Sequence, residues 1–286
     1  MKKYILILII LFTLTGCNFI THDDMEDIGI ITTVYPLEYA IDYLYGNNSI
    51  ISSIYPDDTN IDTYTFTDKQ LKDYSKKDLF VYLGNTTDSN HAVNLLNKNN
   101  NIKLIDASFG MQYKNSPEEL WLNPSNLLMM TQNIKNGLEE YINSSFLLKD
   151  IDDKYEELKL ELSLLDADIK LTIENASKNV IFTNSKALSY LEKYGLTVYV
   201  LDESEDIYER NLNILNNYIT SGKVKNIFIL ENTDISTDLE NLIESKKILS
   251  ITFRNLKNIT DSERNSGTNY IDLTKQNIEN LKKELY

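Results

Sequence analysis

The chain has 286 residues, 43 of them acidic and 28 basic, for a formal net charge of -15. Such an acidic balance argues against nucleic acid as a partner and against an anionic lipid surface held by charge, since binding either relies on a cationic surface that displaces counterions from phosphates. Its single cysteine, Cys17, excludes an intrachain disulfide and a thiolate metal site, so a hydrophobic core must hold a chain long enough for two domains.

Met1-Lys2-Lys3 gives a short positive start, Tyr4 to Leu14 is almost wholly apolar, and small residues lead to Cys17. This is the layout of a secretory signal peptide over residues 1–16, too short for a stable transmembrane helix. Leu14-Thr15-Gly16-Cys17 resembles a bacterial lipobox, which implies cleavage before Cys17 and acylation of its thiol and new amino terminus. An uncleaved anchor with an accidental cysteine is the plainer alternative. Either way the rest of the chain is expected outside the cytoplasm, held to a membrane face, and loss of Lys2 and Lys3 makes it more acidic still. Residues 17–27 read as a lipidated tether.

From residue 28 the pattern is strand and helix in alternation. Short β-branched or apolar runs at 29–34, 49–54, 79–84 and 102–107 read as strands. Between them lie a helix entered at Pro36 and ended by Gly46, a helix capped by Thr67, and a short helix over 92–97. Asn123-Pro124 opens a helix to about Ile142. Leu148, Ile151, Tyr155, Leu158, Leu162, Leu165 and Ile169 then recur at steps of three and four, which predicts one long amphipathic helix from about 147 to 175. A coiled-coil dimer is the rival reading of that stripe. The alternation resumes with strands at 179–183, 196–201, 224–231 and 247–253 and helices at 186–195, 208–219, 236–245 and 274–285. The expected fold class is α/β. It comprises two Rossmann-like lobes (28–146 and 179–286), each a parallel sheet flanked by helices, joined by one long rigid helix (147–178). Open parallel sheets bind ligands at the carboxyl ends of their strands, so a shared cleft is expected there.

Several segments resemble one family. "ITTVYPLEYAIDYLYGN" (31–47), "DTYTFTDKQLKDYSKKDLFVYLG" (62–84) and "ELWLNPSNLLMMTQNI" (119–134) look like its first lobe; "YLEKYGL" (190–196), "NIFILENTDIS" (226–236) and "NIENLKKEL" (277–285) look like its second. The family is that of the zinc/manganese-type solute-binding lipoproteins of ABC importers. The resemblance implies a protein that catalyses no reaction, captures a small solute or metal ion as a monomer, and delivers it to an ABC permease. No Gly-rich phosphate loop or Ser-His-Asp set argues for an enzyme.

The family's metal ligands are typically histidines plus a carboxylate, and the matching positions here are Asp62, Glu119, Ser185 and Thr252. The histidines of the chain are His22, expected in the tether, and His91, expected in a loop. The resemblance therefore implies an oxygen-donor site, which suits a hard divalent cation better than zinc. Glu231, at a strand end, is a further candidate cleft residue. The alternative is a degenerate, non-transporting surface lipoprotein acting in adhesion or protein interaction, with Asp62 and Glu119 as ordinary loop carboxylates.

Overall fold

A computed structural model describes residues 25–61 and 63–286. The signal peptide, Cys17, His22 and Asp62 lie outside the described residues. The first lobe contains β1 (Ile28–Thr32), α1 (Tyr35–Tyr45), β2 (Ser49–Ser53), α2 (Asp68–Tyr74), β3 (Leu79–Tyr82), α3 (Asp88–Lys98) and β4 (Lys103–Asp106). Helices α4 (Glu119–Leu122), α5 (Pro124–Tyr141) and α6 (Ser145–Glu174) follow. The second lobe contains β5 (Val180–Thr183), a 3-10 helix (Lys186–Tyr194), β6 (Thr197–Val200), α7 (Tyr208–Thr220) and β7 (Asn226–Leu230). It ends with α8 (Thr237–Lys246), β8 (Leu249–Phe253), α9 (Asp261–Ser266) and α10 (Tyr270–Leu285).

The two sheets are parallel and share one topology, β2-β1-β3-β4 and β6-β5-β7-β8. In each, the chain turns outward after the first strand and returns on its other side. The switch of direction therefore lies between β1 and β3 in one lobe and between β5 and β7 in the other. Strands buried on both faces explain the near-continuous apolar runs. Each sheet has an outer layer, around Phe80 and Leu95 in the first lobe and Phe182 and Leu215 in the second. The inner faces belong to one hydrophobic core that runs from Leu37 and Leu79 through Trp121 and Leu158 to Phe228 and Leu281.

Several sequence expectations shift. Met25, assigned to the tether, is fully buried and its carbonyl accepts a 2.7 Å hydrogen bond from the Tyr45 hydroxyl, so packing begins before residue 28. The first helix does end at Tyr45 with Gly46 as its cap, although Gly46 is right-handed and opens a 3-10 turn over Gly46–Asn48. The helix expected over 92–97 starts at Asp88 and carries His91, because polar residues there lie over the outer layer rather than in a loop. The 186–195 segment is a 3-10 helix closed by left-handed Gly195, φ 102°. Helices α4 and α9 are too short to have shown a period. Gly137 in α5 lets that helix approach β4: a Cβ there would lie 2.7 Å from Ile105.

The long helix carries its apolar stripe inward. Leu147, Ile151, Tyr155, Leu158, Leu162, Leu165 and Ile169 are buried against α1, α5 and α10 of the same chain, while Leu160 and Leu164 point to solvent. Truncating Ile151, which is fully buried, to alanine is expected to cost about 2–4 kcal/mol in equilibrium denaturation, whereas Leu160→Ala on the outer face is expected to stay within about 0.5 kcal/mol.

Candidate solute-binding cleft

The cleft is built where the two lobes meet. Trp121, from α4, is 2 % exposed and spans the junction. Its indole N–H donates to the Asn255 carbonyl at 2.7 Å, and its own carbonyl accepts from the Tyr270 hydroxyl at 2.6 Å. The segment after β8 is sewn to the first lobe by its backbone. Tyr35 N–H donates to the Lys257 carbonyl at 2.9 Å, Asp58 N–H to the Ile259 carbonyl at 3.3 Å, and the Asn258 amide to the Pro56 carbonyl at 2.8 Å. Beside it, Arg264 forks onto Glu38 at 2.6 Å and Asp57 at 2.5 Å. Leu256 makes this docking at the expense of a left-handed conformation, φ 58°, unusual for a bulky residue.

Leu256 hands the next residue, Lys257, into the cleft. Its ammonium meets the Glu118 carboxylate at 2.8 Å and lies between two cavities. The larger, about 370 Å³, sits at the switch point of the first sheet: Val34 and Leu83, which follow β1 and β3, line it, with Tyr55, Tyr64, Asp88 and His91. The smaller, about 120 Å³, lies against the ends of β7 and β8 and is lined by Glu231 and Arg254. There the guanidinium of Arg254 forms an ion pair with Glu231 at 2.7 Å and another with Glu263.

Burial and pairing set the charges. Burial pushes the Glu118 carboxyl up, but the Lys257 ammonium and the Ser116 hydroxyl outweigh it and hold it below the usual range. Glu263 is likewise held down, to about 2, since Arg254 and the Thr260 cap outweigh its burial. Asp88 goes the other way: burial raises it, and Thr33, His91, the Leu83 amide and Lys257 offset this only in part. His91 is lowered by burial against the pull of Asp88, so it is neutral at pH 7. Its Nε2 lies 3.2 Å from the Tyr55 hydroxyl, and its ring meets Phe66 edge-on at 5.0 Å.

Of the positions expected to hold a metal, Glu119, Ser185 and Thr252 line neither cavity. Glu119 turns away from the cleft: it is buried and accepts from the Lys114 and Asn115 backbone N–H groups at 3.0 and 3.2 Å and from the Asn115 amide at 2.8 Å. Its neighbour Glu118 lines the cavity instead. The Ser185 hydroxyl caps the 3-10 helix, accepting from Ala187 N–H at 3.2 Å. Thr252 is exposed on β8. Neither cavity is lined by any of these three, and Asp62 lies outside the described residues. Among the described residues no three His, Cys, Asp or Glu side chains are placed to hold a metal ion. The expected preference for a hard cation over zinc rested on that oxygen set and loses its support. Glu231 does face the cleft, but as the partner of Arg254. Sequence reading missed Glu118, Asp88 and Lys257. A buried acid opening a helix on the strand-end side was the available signal for Asp88; the other two are defined only by the junction.

Twin parallel sheets whose strand ends face a lined crevice define a bilobal solute-binding protein. Residues 30–284 match the family described as zinc-uptake complex component A, periplasmic, and the chain belongs to it; residues 1–18 match a prokaryotic membrane lipoprotein lipid attachment site. The family is one of solute-binding proteins rather than enzymes, and the protein is extracytoplasmic and lipid-anchored. Among the described residues no helix is long and apolar enough to cross a membrane. The chain is 24% identical to the high-affinity zinc uptake system protein ZnuA of Bacillus subtilis, over 91% of this chain and 88% of that one. It is 21% identical to the zinc-binding protein AdcA of Streptococcus pyogenes over 88% of this chain, but spans only 55% of AdcA, about half its length. The Zn(II)-bound ZnuA-like domain of Streptococcus pneumoniae AdcA has the same fold, with a TM-score of 0.74 at 20% identity, covering 91% of this chain and 99% of that one.

The Lys257–Glu118 pair makes a signed prediction. A carboxyl depressed in the folded state contributes stability above its unfolded pKa and loses it as pH falls through the folded one. Lys257→Met is expected to destabilise the protein at pH 7 by about 1–3 kcal/mol, leaving a buried carboxylate unpaired. The deficit against wild type should shrink as pH is lowered below about 4 in a denaturation series.

Proposed function

We propose that this protein is the lipid-anchored solute receptor of an ABC importer, capturing a small solute in the cleft between its lobes and presenting it to a membrane permease as a monomer. The observation that carries this reading is the cavity of about 370 Å³ at the switch point of the first sheet, walled by Tyr55, Asp88 and Glu118 of one lobe and Lys257 of the other. Such a position is where open α/β sheets take ligands. In this reading the lobes at 28–146 and 179–286, with a stiff connector between them, leave a rim formed by both.

Zinc is the cargo named for the relatives. A zinc ion here would draw on His91, Asp88 and Glu118, but His91 is turned to Tyr55 and Glu118 is neutralised by Lys257. Zinc normally takes four ligands from imidazole, thiolate or carboxylate. The cleft as built favours a solute other than a bare metal ion.

Three measurements test the proposal. Crosslinking in the native host from a photoreactive residue placed at exposed Phe109 or Met129 is expected to capture a polytopic permease with its nucleotide-binding subunit; capture of no transporter component from either position would remove the importer role. Cys17→Ala is expected to move the protein from the membrane to the soluble extracytoplasmic fraction. The protein purified without chelator is expected to retain no stoichiometric zinc in elemental analysis, and stoichiometric retention would restore the metal reading.

A further inference from the structure

The cavity at the first switch point contains an acid with too few partners. Asp88 is 8 % exposed, lines the cavity, and receives one long hydrogen bond, from the Leu83 N–H at 3.4 Å. The Thr33 hydroxyl beside it is fully buried and completes no hydrogen bond of normal geometry among the described residues. Burying a carboxylate without a full set of donors is costly and is tolerated where a ligand or ion completes the set.

The charge of the lining selects the sign of that ligand. With His91 neutral, the charged groups on the wall among the described residues are Asp88, Glu118 and Lys257, two carboxylates against one ammonium. One net negative charge remains, which a monocation balances. An anion is repelled, and a bare dication overshoots and finds no three-donor group among the described residues. The cleft already accepts one primary ammonium, that of Lys257 on Glu118. The rest of the wall suits an organic body: Tyr55 and Tyr64 stand edge to face at 6.0 Å, with Ile61 and Val34 beside them. Aromatic faces attract cations and bury apolar carbon.

Resting on the solute-receptor reading above, we propose that this cavity binds a small organic molecule bearing a single primary ammonium group, with the ammonium on Asp88 and the carbon skeleton against Tyr55 and Tyr64. The ammonium offers three N–H donors to a buried carboxylate otherwise served by one long backbone hydrogen bond and the poorly aligned Thr33 hydroxyl. Asp88 fixes the charge of the ligand, and the tyrosines limit its size and shape.

The test uses benzylamine and tyramine as probes, benzyl alcohol as the uncharged isostere and zinc chloride as the metal, each titrated calorimetrically into the purified protein from Cys17 onward. The amines are expected to bind and raise the melting temperature, and benzyl alcohol to do neither. Asp88→Asn, which preserves shape, is expected to weaken the amines on the order of 10–100-fold while the circular dichroism spectrum is unchanged. Tyr64→Ala, on the partly exposed rim, is expected to weaken them by a smaller factor and serves if Asp88→Asn fails to fold. Equal binding of benzyl alcohol, undiminished amine binding by Asp88→Asn, no response to either amine, or zinc displacing the amines would overturn the assignment. Permease capture together with amine failure would remove this ligand class alone and leave the receptor role standing.

Discussion

Trp121 is bonded at both of its polar ends by the opposite lobe: its indole N–H is used by Asn255 and its carbonyl by Tyr270. A buried indole with an unpaired N–H would lose much of what its area contributes. The lobes therefore have one relative position at which this ring is both dry and satisfied. Because the core runs unbroken across it, with α6 packed along α1, α5 and α10, that position is a property of the whole molecule rather than of a flexible hinge. The cleft inherits its dimensions from this constraint. A solute bound there, as proposed above, would meet walls already fixed, which lowers the ordering cost of binding.

The same junction explains why Leu256 is left-handed. The segment from Asn255 to Thr260 must bond to Tyr35, Pro56 and Asp58 across the interface while keeping Leu256 in the core and Lys257 out of it. A right-handed residue there would exchange those faces. The strain, about 1–2 kcal/mol for an L-residue in this region, is offset by a fully buried leucine and a placed ammonium. Asp58 and Asn232, also left-handed, border the smaller cavity; both are residue types that tolerate that conformation. Three of the five left-handed non-glycine residues among the described residues thus border the junction, the others being Asp27 and the helix cap Lys247.

Much of the fold was legible because it follows from local rules. The step-three-and-four stripe from Leu148 to Ile169 marks a helix whichever partner covers it, and the structure shows that the chain's own helices do. Strand runs such as "LFVY" and "NIFIL" are apolar because both faces are covered. The site was far less legible. Glu118 and Glu119 are adjacent and alike in chemistry, and only the helical turn of α4 decides that one faces Lys257 while the other closes the loop over Lys114 and Asn115. Family positions carried over by alignment point to a place in the chain; they do not carry the direction of a side chain once its type has changed. His91 read as a loop residue since nothing apolar precedes it, yet Asp88, opening that helix, supplies the start that hydrophobic spacing lacks.

Both sheets have the same strand order, so each brings a switch point to the junction, and the molecule uses the two unequally. In the second lobe the end of β7 is closed by an ion-pair network: Arg254 spans Glu231 and Glu263, Asn255 bonds back to the Glu231 carbonyl at 2.9 Å, and a space of only about 120 Å³ is left. In the first lobe no arginine lines the cavity; Lys257 reaches Glu118, and Asp88 remains short of hydrogen-bond donors beside a cavity of about 370 Å³. A cation held by three acceptors in one lobe and a carboxylate short of donors in the other are opposite solutions to the same topology. The filled end anchors the docked segment that places Lys257, and the open end keeps unmet hydrogen-bonding capacity facing a solute-sized space. The asymmetry follows from which side chains reach the strand ends, since the backbone offers the two sites equally.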